Sequence, residues 1–388
     1  MRSYKAHYSR FFAAQPGRLH FAAHSHHLWP DVTREAVLTY WDDAARLADR
    51  KWEHVFGTVV PQAQAHIART LELSRPEQIA FAPSLHEFVC RLVSCFDETR
   101  PVRVLTTDSE FYSFVRQLKR LEESPRFSAV QVAAQPLASF EERFREAAAR
   151  ERFDLVYVSH VFFNSGYAMQ DLPGIVRAVK DPETMVVIDG YHGFCALPTS
   201  LREIEARAFY MSGGYKYAQW GEGACFLHVP AGCALRPANT GWFATFGNLT
   251  REQPAGVPYP DDGFRFWGAT YDPSGLYRLN AVMNLLAQIG ATVPVIHAHV
   301  RSLQQRFLGG LERGAPKALP LSSLLTGRDL TRQGHFLVFE LPAAQPLWSR
   351  LRERGVDLDV RGNRLRFGFG LYQDEVDVDL LLDRLAEL

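Results

Sequence analysis

The sequence predicts an α/β protein with a large domain built on a parallel sheet and a smaller C-terminal α/β domain. Three observations carry this prediction. From about residue 79 to residue 229, short apolar runs alternate with amphipathic stretches, as in strand–helix–strand units with right-handed crossovers. Residues 232–272 break the alternation with glycine, proline and aromatics. Two long helical stretches then lead into a tail of strand, helix, strand and helix. A chain of 388 residues exceeds the usual single compact unit. We divide it into an N-terminal segment (1–50) that contributes to the site and the small domain, a large domain (51–272) and a small domain (273–388).

In chain order, residues 19–30 read as a short strand entering a histidine-rich loop. Residues 31–49 read as a helix capped by Asp31, with Ala36, Leu38, Trp41, Ala45 and Leu47 on its apolar face. A second amphipathic helix covers 61–73. The run from Ile79 to Val93 is a strand, a turn at Pro83-Ser84, and a helix over 85–96. Strands at 102–106, 129–133 and 154–160 are followed by helices at 112–121, 139–150 and 171–179. Three buried strands are expected at 186–188, 208–211 and 224–229. The 232–272 loop is too long to be incidental. Ser274 is expected to cap a helix ending at Gln288, before a helix over 292–313. Strand 336–341, helix 346–354, strand 364–369 and helix 373–386 complete the chain.

Net charge is zero, which argues against nucleic-acid or membrane-surface binding driven by bulk charge. No apolar run approaches membrane-spanning length. The opening residues lack a signal-peptide core, and the five cysteines (90, 95, 195, 225, 233) lack metal-ligand spacing. Both point to reduced thiols in the cytoplasm.

Asp189 and His192 fall just past the strand at 186–188, and Lys216 just past the strand at 208–211, in a Gly-rich turn between two tyrosines. Only six residues are lysine against 37 arginines, which makes an incidental lysine there less expected. A lysine and a carboxylate at neighbouring strand ends are what pyridoxal 5'-phosphate (PLP) needs. The lysine holds its aldehyde and the carboxylate keeps its ring nitrogen protonated. Ser84, Phe111 and Asn164 also follow strand ends, where parallel sheets gather ligands. Ser84 opens a helix whose N–H groups suit a phosphate, or it serves only as a cap. Phe111 stacks on a cofactor ring or packs in the core. Arg366, in a late strand, suits a carboxylate clamp or a surface role. His24 and His26, with His160 and Asp189, offer a second reading, a metal-dependent hydrolase. Against it, the chain lacks eight βα units.

Together these motifs resemble the class V aminotransferase-like PLP enzymes of fold type I, and kynureninases in particular. Gly214-Tyr215-Lys216-Tyr217 followed by Gly221-Glu222-Gly223 is similar to the kynureninase lysine segment, and Asp189-Gly190-Tyr191-His192 to the Asp-x-x-His upstream of it. The resemblance implies that Lys216 is the Schiff-base lysine and Asp189 the partner of the ring nitrogen. His192 would support the ring oxygen or Asp189, and Tyr215 would contact the phosphate. Ser84-Leu85-His86-Glu87 falls on the phosphate loop and Phe111 on the stacking aromatic. Thr270, in Gly268-Ala269-Thr270, and Trp242, after Gly241, would reach the phosphate in the other subunit. Arg366 would bind the substrate carboxylate. A homodimer with shared sites follows.

The chain also departs from kynureninases. His24-Ser25-His26-His27 stands for Asn-Ser-Leu-Gly, and His86 for threonine. Ser212 sits one place off the usual serine or cysteine. The Gly-His after Trp242 and the Asn-Pro-Pro around Gly268 are missing. The expectation is therefore a transaminase-like enzyme acting on an amino acid, with Lys216 taking the α-proton. A kynureninase-like hydrolase or β-lyase is the alternative. His26 is the expected substrate-side residue, with acid/base work for the histidine loop.

Overall fold

The computed structural model describes residues 2–248, 256–314 and 318–388. Its strands, in chain order, are β1 (Leu19–His20), β2 (Ile79–Ala82), β3 (Val102–Thr107), β4 (Phe127–Val132), β5 (Leu155–Ser159), β6 (Met185–Asp189), β7 (Ala208–Gly213), β8 (Cys225–His228), β9 (Phe336–Glu340), β10 (Val356–Asp357), β11 (Asp359–Arg361) and β12 (Arg364–Gly368). Seven form one sheet in the order β2-β8-β7-β6-β5-β3-β4. The strands from β3 to β7 are mutually parallel. Buried on both faces, β5, β6 and β7 read as unbroken apolar runs.

The expected all-parallel sheet needs one correction. β8 runs antiparallel between β7 and β2. The turn after β7 carries Lys216 and no helix, and a parallel return needs a crossover of a dozen or more residues.

The helix over Val32–Leu47 forms, but its inner face is not the expected one. Leu38 is 44% exposed and Trp41 68% exposed. Ala36 is buried as expected, but Thr33 and Asp43 are buried beside it. Asp43 tolerates burial because Tyr277 donates to it at 3.0 Å and Arg46 pairs with it at 2.7 Å. Asp31 does not cap this helix with its side chain. It accepts from the Ser9 N–H and hydroxyl and from the Arg10 N–H. Likewise Asp272, not Ser274, supplies the side-chain acceptor at the start of Ser274–Gln288. The expected second helix is Val60–Leu71, entered through a π-helical turn at Val55–Val59. The 232–272 loop contains 3-10 turns at Trp242–Asn248 and Gly263–Phe266. Its residues 249–255 lie outside the described residues.

A three-stranded antiparallel sheet, β11-β12-β9, forms near the C-terminus, and β1 pairs in parallel with β10. The N-terminal strand thus joins the C-terminal layer, and Leu19 and Phe21 share a core with residues from Val300 to Leu385. The helix Ser274–Gln288 packs into the larger core through Leu276, Leu279 and Val282.

Candidate active site

The carboxyl ends of β5, β6 and β7 lie side by side, with Ser159 paired to Asp189 and Asp189 to Met211. A cavity of about 250 Å³ opens there. Its wall includes Ser84, Leu85 and His86 after β2, Phe111 after β3, Asp189 and His192 after β6, and Tyr215 and Lys216 after β7. Eight residues expected from the sequence are therefore brought to one place.

Lys216 is buried, and its Nζ lies 2.7 Å from His192 Nε2. Burial lowers its pKa to about 7, and Asp189 partly counters that shift. Burial, then the charge of Lys216, hold His192 well below its ordinary value. Neutral His192 shares a hydrogen bond with Nζ through Nε2, while its Nδ1 is buried without a partner. Nζ also lies 5.1 Å from the Phe111 ring centre and 4.8 Å from that of Tyr191. Asp189 accepts from the Tyr191 N–H at 2.9 Å and the Tyr157 hydroxyl at 3.0 Å. Each carboxylate oxygen keeps a lone pair for a further donor.

Ser84 is the N-cap of the helix Leu85–Val93, accepting from the Glu87 N–H at 3.4 Å. The helix start faces the same cavity as Lys216, as a phosphate requires. His86 is exposed at the rim, 3.6 Å from the Cys90 sulfur. A lysine nucleophile, a buried carboxylate, an aromatic face and a helix N-terminus around one cavity fit PLP.

Other expectations change. Arg366 does not line the cavity. It sits behind Phe163, donating to that carbonyl at 2.6 Å and pairing with Asp359. Asn164 turns its amide to Ser109. Trp242 and Thr270 are exposed, bonded to each other at 2.9 Å, and outside this cavity.

The metal reading finds no ligand set. Among the described residues no three His, Cys, Asp or Glu side chains are grouped to hold an ion. His24 is buried and stacked on Phe336. His26 is exposed, stacked on Tyr215 and 3.6 Å from Glu222, so it touches the rim of the cavity.

Sequence reading missed Tyr157, Tyr191, Ser159, Cys225 and Glu110. Tyr157 and Ser159 share a face of β5, two residues apart, a pattern that an apolar-run reading overlooks. Glu110 is buried, accepting from Thr107, the Ser159 N–H and the Ser159 hydroxyl. Its signal was its place beside Phe111 at a strand end.

The aminotransferase class-V profile matches residues 31–319. No curated protein matches the chain by sequence at a significant level. Several solved structures share the fold at low identity. One is the cystine C-S lyase C-DES with its product cysteine persulfide, at 18% identity over 97% of this chain and 99% of that one, with TM-score 0.81. Another is apo cysteine desulfurase from Thermococcus onnurineus NA1, at 17% identity over 100% and 98%, with TM-score 0.82. A third is a C-DES variant with glycine covalently linked to its PLP cofactor, at 18% identity over 97% and 98%, with TM-score 0.79. Family, fold and cavity agree: the chain belongs to the aminotransferase class-V family and is a PLP-dependent enzyme of fold type I.

Proposed function

We propose that this enzyme acts on an amino acid in a transaminase-like reaction, with Lys216 as both the anchor of the cofactor and the base. The observation that carries the reading is a buried amine whose pKa falls to about 7, beside a neutral histidine. When bound, PLP supplies an aldehyde that condenses with amines and a ring that takes up the electron pair left on the α-carbon. The chain's residues do the rest. Lys216 is unprotonated in a useful fraction at neutral pH, so it can attack the aldehyde and, once released, remove the α-proton and return it. His192 holds Nζ in place. Asp189, held by Tyr157 and Tyr191, would offer an oxygen to the ring N–H. Ser84 and the helix start behind it would hold the phosphate, and Phe111 would lie against the ring.

Kynureninase-like side-chain cleavage is the second reading, supported by the likeness of the lysine segment. His26, on the rim through Tyr215 and Glu222, is its candidate acid/base group. Transfer of sulfur to a protein thiol is disfavoured. Cys225 is the cysteine lining the cavity, and burial pushes its thiol up to about 12, where little nucleophilic thiolate forms. We also place the enzyme in the cytoplasm as a homodimer, with Trp242 and Thr270 facing the partner's site.

The purified protein should show a visible absorption band that borohydride bleaches and that Lys216→Ala lacks. An amino-acid screen on the cofactor spectrum should then yield a keto acid product. Alanine plus an aromatic acid would instead assign the kynureninase-like reaction, and a colourless protein would sink both readings.

A further inference from the structure

Arg366 was expected to wait for a substrate carboxylate. In the structure its guanidinium already holds one. Asp359 lies directly across the β11–β12 hairpin from Arg366, and its carboxylate accepts from Arg366 Nη2. Both side chains are largely buried, at 5% and 11% exposure. Nη1 is committed to the Phe163 carbonyl, while Nε is buried with no partner. Phe163 is part of the cavity wall, so this pair sits immediately behind the site. Lys216 feels the charges of both Arg366 and Asp359.

Asp359 has two other partners waiting. Arg361 Nη2 lies 3.7 Å from its Oδ2 on the solvent side. His24 Nε2 lies 3.7 Å from the same oxygen on the buried side, with no hydrogen bond of its own. A carboxylate with one close cation and two further donors just out of hydrogen-bond range has somewhere to go when displaced. A fixed structural pair would not need them.

We propose that Asp359 is a specificity-determining residue that occupies the carboxylate seat on Arg366 in the free enzyme. The carboxylate of the incoming amino acid takes that seat by exchange, and Asp359 moves to Arg361 and His24. This rests on the proposed amino-acid substrate and on the expectation that its carboxylate reaches Arg366, which it would do past Phe163, the cavity-wall residue in front of the guanidinium. Paired with Asp359, Arg366 presents no net charge, so a carboxylate competes against an internal one. With Nε in reserve, the vacated guanidinium can offer two parallel donors, Nε and Nη2. Affinity for carboxylates is then set by Asp359 as much as by Arg366, because binding is reduced by the fraction of enzyme in which the seat is closed.

The test is calorimetric titration of the holoenzyme with propionate, which has a carboxylate and no amine. Asp359→Asn, which keeps the size and removes the competing charge, should bind propionate roughly fivefold or more tightly than the natural protein. Arg366→Gln should abolish binding. Arg361→Met, a change at a half-exposed side chain, should weaken binding because displaced Asp359 loses a partner. Unchanged or weaker binding in Asp359→Asn overturns the exchange and leaves Asp359 as an anchor of Arg366. If that variant does not fold, Arg361→Met decides, and unchanged affinity there overturns the proposal. No chemical step is read, so a protein that fails the keto acid assay yet shows these affinities sinks the proposed function and not the exchange.

Discussion

Lys216 carries the chemistry because its surroundings, more than its identity, set its charge. An amine brought to about 7 by burial should let apoprotein take up PLP at a rate that rises with pH through about 7. Below that value the ammonium has no lone pair to attack with. Removing the carboxylate in Asp189→Asn takes away the interaction that raises this pKa, so the midpoint should move further down. A stopped-flow pH series on uptake checks both, and a midpoint near that of an ordinary lysine would refute the assignment. Glu110 makes the opposite case. Burial pushes its carboxyl up to about 8, bonds from Ser159 and Thr107 oppose the shift, and Asp189 adds to it. A carboxyl whose folded pKa lies above its unfolded value binds its proton more readily when folded. Its contribution to stability is therefore present at low pH and lost as pH rises from about 4.5 to about 8. Against Glu110→Gln, the natural protein should lose stability over that window by on the order of 3 to 5 kcal/mol. Thermal melts of both across pH read this out, and a pH-independent difference would count against it. Lys216 and Asp189 were legible in the sequence because each follows its own strand. Glu110 was not, since its partners Thr107 and Ser159 come from two different strands that only the sheet brings together.

At the scale of elements, local pattern succeeded where burial follows apolar residues and failed where polar pairing decided it. The helix Val32–Leu47 turns Asp43 inward and Trp41 outward because Tyr277 and Arg46 satisfy the carboxylate. The β11–β12 hairpin was more legible than it was taken to be. Gly362-Asn363 forms its two-residue turn, Gly362 has φ of +59°, and such turns fix register. The opposition of Asp359 and Arg366 was thus written in the chain. The loop carrying Trp242 depends on close approach. A Cβ on Gly241 would lie 2.6 Å from the backbone carbon of Gly268. Gly241→Ala should therefore destabilise the protein by about 1–3 kcal/mol and loosen the Trp242–Thr270 bond. Denaturant melts and Trp242 fluorescence would show it, and an unperturbed variant would argue against tight packing there.

At the scale of the molecule, six of the seven strands of the large sheet end on one edge, and the site inherits its layout from that edge. Trp242 and Thr270 are the exception, bonded to each other on the surface and away from this cavity. If they complete the partner's site, an inactive Lys216→Ala protein mixed with an inactive Trp242→Ala/Thr270→Ala protein should regain activity. Half of the reassorted dimers would each hold one intact site, giving roughly a quarter of natural activity. No recovery after verified subunit exchange would place both residues in their own subunit's site. Strand periodicity, and the habit of parallel sheets to gather ligands at carboxyl ends, made the fold class and the places of Ser84, Phe111, Asp189 and Lys216 readable from the chain alone, and the family resemblance added the cofactor and the other wall residues. Those signals are local, repeating every two or four residues. The reversal of β8, the lowered pKa of Lys216 and the occupied guanidinium of Arg366 depend on burial and charge contributed by segments far apart in the chain. Only folding brings those groups within reach of one another, and folding alone removes the water that would otherwise screen them.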